Sequence, residues 1–350
     1  MRRPIAAAIL ALLPLAASAG APAPAPTLKD LKRPPPEIRT GETVAPDPDR
    51  ARELYRRFLE LEAGDPALRT EAMRRLGDLQ LEAGDSARGE TAGMGEAETR
   101  EAIEIYTRLL EQQPAYARAD VVLYQLARGW ESLGDGDKAL GYLDQLVSNY
   151  PSSPRIDEAQ FRRGEILFVA KRYPEAQKAY EAASAYGDRS EFYEQSLYKL
   201  GWSYFKQSEN EAAIEPFVRV LDLKLIDSSK PGGVVEPADL ARADRELVQD
   251  TFRVLSIGFS YVDGQQTLDR YLSRRGDIPY AYLLYSELGD LYVGKQRFTD
   301  AADTYRAFVD RFPDHERAPL LQMQAIEAYK KGGFAQLVLD GKKEFVERYR

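Results

Sequence analysis

One small residue returns at a fixed interval in this chain. Ala127, Gly164 and Gly201 lie 37 positions apart, inside segments whose pattern otherwise reads as helix. Twelve residues after each come Ala139, Ala176 and Ala213, and four residues further on, about one helical turn, come Leu143, Tyr180 and Phe217. A fixed period of this length marks a solenoid, in which each unit buries its apolar face only against its neighbours. The unit here is a pair of helices. Such a fold is a scaffold, and its specificity lies in the side chains that line its groove.

Residue by residue the unit resembles the tetratricopeptide repeat (TPR) family. That pattern has a Leu-Gly or Leu-Ala pair, an aromatic three residues on, an Ala opening the second helix, an aromatic and then a Pro. Leu126-Ala127, Trp130, Ala139, Leu143 and Pro151 fit it; Leu200-Gly201, Tyr204, Ala213 and Phe217 fit it again; Leu288-Gly289, Tyr292, Ala301, Tyr305, Phe308 and Pro313 fit it a third time. Gly164, Ala176, Tyr180 and Ala183 follow more loosely, Gly258 with Tyr261 marks a degenerate unit, and Ala325 with Tyr329 begins a last one. An early unit reads Leu76-Gly77, Ala102, Tyr106 and Pro114, with 25 rather than 12 residues between its small positions. The excess falls around Gly84 to Ala97, a Gly-rich polar stretch expected as a loop.

The physics of the pattern is that small residues let the helices of a pair approach, aromatics and Leu fill the space between successive pairs, and Pro ends the second helix. The expectation is an all-α, right-handed superhelical solenoid of about seven TPR-like helix pairs over residues 50–350. A second interruption, near 227–238, carries Pro231-Gly232-Gly233 and Pro237 and is expected as an exposed loop.

The N-terminus has a separate character. Arg2 and Arg3 precede an apolar run from Ile5 to Ala17, too short to span a bilayer, and Ala17-Ser18-Ala19 supplies small residues for cleavage. Residues 1–19 therefore read as a secretory signal peptide. Residues 20–49, with Ala21-Pro22-Ala23-Pro24-Ala25-Pro26 and Pro34-Pro35-Pro36, read as an extended tether. The aromatic-Pro turns resemble those of the bacterial cell-envelope subgroup of TPR proteins, so the expected address is periplasmic or otherwise exported. The chain has no Cys for a lipid anchor, and no membrane span is expected once the signal is removed.

Composition excludes several functions. The formal charge of −8 disfavours nucleic acid, because phosphate contacts need a surplus of Lys and Arg on one surface. His315 is the only histidine; it reads as a solvated turn residue and cannot build a multi-histidine metal site or a histidine triad. The glycines from Gly84 to Gly95 lack the Gly-Lys-Ser/Thr of a phosphate loop. No catalytic, cofactor or metal residue is assigned, and the chain is not expected to be an enzyme.

In the TPR family the first helix of each pair lines the concave groove. That resemblance points to Val121, Tyr124, Arg128 and Glu131; then Glu158, Phe161, Glu165 and Phe168; then Gln195, Tyr198, Trp202 and Phe205; and near the C-terminus Leu283, Ser286, Asp290 and Val293. Tyr124, Arg128, Phe161, Glu165, Phe168, Tyr198, Trp202 and Phe205 are the candidate partner-binding residues, since aromatic anchors dominate interfaces. The alternative for the middle aromatics is packing between helices. The resemblance implies a scaffold that binds proteins or peptides of the cell envelope through its groove; the other reading is a structural subunit of an envelope-spanning secretion or motility assembly. The last helix ends on Phe345-Val346-Glu347-Arg348-Tyr349-Arg350 without the polar closing face that solenoid ends need. This leaves open further repeats, a partner or self-association at that end.

Overall fold

The computed structural model describes residues 47–61, 65–90 and 94–350. The expected signal peptide, and all of the tether before Asp47, lie outside the described residues. Residues 49–350 form one compact unit of fifteen described α-helices: α1 (Pro48–Glu60), α2 (Pro66–Glu90), α3 (Glu96–Gln112), α4 (Ala119–Ser132), α5 (Gly136–Asn149), α6 (Ile156–Val169), α7 (Tyr173–Ser184), α8 (Tyr193–Lys206), α9 (Asn210–Leu225), α10 (Arg242–Ser260), α11 (Gln265–Arg275), α12 (Ala281–Gly294), α13 (Phe298–Arg311), α14 (Ala318–Lys331) and α15 (Ala335–Arg348). After α1 they fall into seven pairs, α2/α3 through α14/α15, as the repeat pattern requires. No described helix is long and apolar enough to cross a membrane.

The periodic small residue is the seat of an aromatic ring from its own pair. A Cβ added at Gly77 would lie 2.6 Å from the Tyr106 ring, at Gly164 2.5 Å from Tyr180, at Gly201 2.8 Å from Phe217 and at Gly289 2.3 Å from Tyr305. This corrects the expectation that these aromatics fill the space between pairs. That space is filled from the other aromatic position: Trp130 of α4 packs on the core of α2 and α3, and Tyr204 of α8 packs on that of α6 and α7. The difference is geometric. The ring on the second helix lies over the Cβ-free stripe of the first, whereas the residue three positions after the glycine points back to the preceding pair.

Gly84 to Ala97 is not a loop throughout. Helix α2 continues through Gly84 to Glu90, and Gly84 is a helix-crossing point where an added Cβ would lie 2.3 Å from Thr99 Oγ1 and 2.8 Å from the Gly95 carbonyl oxygen. A backbone approach this close needs glycine on both sides, and Gly95 also adopts φ 83°. The extra residues thus lengthen α2 more than the connection.

The interruption after α9 folds into a short antiparallel hairpin, β1 (Ile226–Asp227) and β2 (Gly233–Val234), with Ile226 opposite Val234. Just beyond it the Glu236 carboxylate accepts hydrogen bonds from Tyr282 Oη of α12 at 2.9 Å and from Arg317 at the start of α14 at 2.8 Å. His315, expected as a solvated turn residue, is partly buried. Its ring lies edge-on to Phe308 at 5.2 Å and beside Tyr282 at 5.7 Å, and its Nδ1 accepts the Arg317 backbone N–H at 3.0 Å.

Candidate functional site

The first helices α2, α4, α6, α8 and α10 succeed one another along one face, and polar side chains tie each to the next. Arg128 of α4 pairs with Asp85 of α2 at 2.7 Å. Arg162 of α6 reaches back to Glu131 of α4 at 3.0 Å, Lys199 of α8 to Glu165 of α6 at 2.9 Å, and Tyr198 of α8 donates forward to Asp250 of α10 at 2.5 Å. Arg162 and Lys199 are themselves 37 residues apart, so a cation recurs at one register of the first helix.

Several candidate residues are therefore rungs of this ladder. Tyr124 is only 3% exposed. Its hydroxyl donates to Glu158 and accepts from Arg162 Nε at 3.1 Å, while the Arg155 guanidinium lies 4.7 Å over its ring. Burial, then the Glu158 hydrogen bond, push its phenol up to about 12. Glu165 accepts from Tyr180 Oη and binds Lys199, so the residue after Gly164 satisfies the hydroxyl of the ring that Gly164 seats. Asp78 with Tyr106 and Asp290 with Tyr305, each at 2.6 Å, repeat the device. Where the ring has no hydroxyl, at Phe217, the residue after the glycine is Trp202. Glu131 is raised, chiefly by burial and against the opposing pull of Arg162.

The remaining candidates form two adjoining apolar features. Phe161 stacks on Phe192 at 5.2 Å and, with Glu165, Glu194, Gln195, Tyr198, Lys199 and Leu247, lines a cleft of about 240 Å³ between α6, α8 and α10. Lys224 binds Glu194 at 2.6 Å and Asp244 at 2.7 Å beside it, so the charges around this cleft are neutralised in pairs and the lining it offers is apolar. Further along α8, Trp202 packs edge-on to Phe205 at 5.5 Å and to Phe217 at 6.2 Å, with Lys206 Nζ 5.5 Å from its ring. Phe205 continues to Tyr261, 67% exposed at the end of α10, with ring centroids 6.5 Å apart. Phe168 lies edge-on to Tyr173 at 5.3 Å, with Nζ of Lys199, a residue of the cleft, 5.5 Å from its ring.

The structure thus brings Phe161, Glu165 and Tyr198 together in the cleft and Trp202 and Phe205 beside it. It places Tyr124 and Arg128 in the polar ladder and Phe168 at the end of α6. Leu247, Asp250 and Tyr261 belong to the site but sit in the degenerate repeat, where the 37-residue register offered no guide. Arg162 and Lys199 were readable from their shared register. Among the described residues no group of three or more acidic or histidine side chains is arranged to hold a metal ion.

A tetratricopeptide repeat family model matches residues 124–190, 172–224 and 263–322. No curated protein matches the chain. Solved structures with which it aligns include BtubC from P. vanneervenii (17% identity, 65% of this chain and 86% of that one, TM-score 0.40). MamA from Desulfovibrio magneticus RS-1 aligns at 18% identity over 57% and 92% of the two chains, TM-score 0.37. YrrB, described as a TPR protein with an unusual peptide-binding site, aligns at 18% identity over 65% and 99%, TM-score 0.34. With the repeat register and the seven helix pairs already seen, the match of the repeat model identifies the chain as a tetratricopeptide repeat protein.

Proposed function

We propose that the protein is an exported, non-catalytic scaffold of the bacterial cell envelope that captures a segment of a partner protein on the face built by α6, α8 and α10. TPR proteins in general are non-catalytic scaffolds for protein interaction, which supports the coarser part of this reading. The observation that carries the site is the half-buried aromatic surface of Phe161, Tyr198, Trp202 and Phe205 around a cleft whose neighbouring charges are already paired. A desolvated apolar centre inside a polar rim is the arrangement in which a few aromatic anchors supply most of the binding energy. The envelope address rests on the sequence of residues 1–19.

The test is affinity capture from a periplasmic extract with the mature chain, comparing wild type with Trp202→Ala and Phe161→Ala. Loss of an aromatic anchor is expected to weaken capture by on the order of 30-fold, about 2 kcal/mol, with melting temperature changed little for the partly exposed Trp202. Full-length protein recovered with its leader uncleaved in the cytoplasm would refute the exported address, and equal capture by both variants would refute the site.

A further inference from the structure

Helix α15 faces two ways. Val338 packs on the core of the preceding helices, and buried Gly341 lies against Ile326 of α14, where an added Cβ would be 3.0 Å from Ile326 Cγ1. On the opposite side Leu339, Lys343, Val346 and Glu347 are exposed and, at spacings of four, seven and eight, share one stripe. Between α14 and α15 an apolar cleft of about 350 Å³ is lined by Met323, Ile326, Glu327, Lys342, Phe345 and Val346.

The repeat register says what these positions do. Phe345 and Val346 stand 37 residues after Phe308 and Val309, which are fully buried in one core with Ala318 and Leu321 of α14. Lys343 and Glu347 stand 37 residues after Arg306 and Asp310, which pair with Glu344 and Arg348 of α15, each at 3.1 Å. In α13, then, this surface is a docking face with an apolar centre and two charges of opposite sign that meet the next helical layer. In α15 the same surface carries Val346 at 61% exposure, and Lys343 and Glu347 make no ion pair with another described residue.

The charges are self-complementary. When two copies of α15 cross antiparallel about a two-fold axis beside Phe345, Lys343 of each meets Glu347 of the other, and Val346 and Met323 meet their counterparts in the middle. A parallel crossing would oppose lysine to lysine. We propose that a second copy of this chain docks on the α14–α15 face, forming an isologous antiparallel dimer.

Sedimentation of the full chain up to ~100 µM tests this. The expected result is a dimer whose dissociation constant rises about tenfold or more in Lys343→Glu, where both cross pairs become repulsive. Affinity should return in Lys343→Glu/Glu347→Lys, because the exchange restores both pairs, and Val346→Asp should leave a monomer. All three positions of change, Lys343, Val346 and Glu347, are solvent-facing, so circular dichroism and melting temperature should match wild type. A chain monomeric throughout this range, a dimer indifferent to Val346→Asp, open-ended polymers, or a double exchange that fails to restore the dimer would each overturn the proposal.

Discussion

At the residue scale the fold rests on a pairing rule: a missing Cβ on the first helix receives a ring from the second. Gly164 with Tyr180, Gly201 with Phe217 and Gly289 with Tyr305 obey it, while the one repeat with Ala127 at that position carries the smaller Leu143. Gly164→Ala should therefore overpack the pair and cost about 1–3 kcal/mol in urea unfolding, although alanine is the better helix former. Adding Tyr180→Leu should recover part of that loss by reproducing the Ala127–Leu143 arrangement; strictly additive costs in the double variant would contradict the rule. A second prediction concerns His315. Burial lowers its pKa below the ordinary 6.5, so the folded state favours the neutral ring that accepts from Arg317. The unfolded chain then binds the proton more readily, and the stability this group contributes is present above pH 6.5 and declines as pH falls through the lowered value. Melting curves of wild type and His315→Asn should draw together from pH 7 to pH 5; parallel curves would count against this role.

At the element scale, α4 through α9 were legible because small, aromatic and proline positions recur there at one spacing. The irregular elements were harder to read for a physical reason: glycine has two uses, and the sequence does not say which applies. Gly84 reads as loop by composition, yet it serves a close helix crossing against Thr99 and Gly95. Gly84→Ala distinguishes the uses. In a loop it would be neutral or slightly stabilising, whereas at the crossing it should cost about 1–3 kcal/mol in thermal unfolding. By composition the stretch 227–238 reads as an exposed loop, and its short hairpin depends on pairing that composition does not reveal. Its anchor is Glu236, the acceptor for both Tyr282 and Arg317. Glu236→Ala should cost roughly 1 kcal/mol and hasten limited proteolysis at Ser228–Gly233; unchanged cleavage would mean the anchor is idle.

At the scale of the whole molecule, a solenoid couples each pair only to its neighbours, so the continuity of one face depends on contacts that span repeats. Asp85–Arg128, Glu131–Arg162, Glu165–Lys199 and Tyr198–Asp250 supply them from α2 to α10. Half of the candidate site was visible as a phase of the repeat, since Phe161 and Tyr198 share one register and Arg128, Glu165 and Trp202 another. What the phase could not show is which of these side chains are occupied by their neighbours, because that depends on charges one repeat away. Tyr124 and Arg128 are held in the ladder, whereas Phe161 and Tyr198 line the cleft and Trp202 continues the aromatic surface beside it. The direct test of this account is photo-crosslinking in intact cells with the reactive residue at Gln195, on the lip of the cleft, and in parallel at exposed Lys178 on the second helix α7. The account predicts one dominant protein adduct from Gln195, absent from Lys178 and lost with Trp202→Ala. Equal adducts from both positions, or an adduct at Gln195 that survives Trp202→Ala, would contradict it.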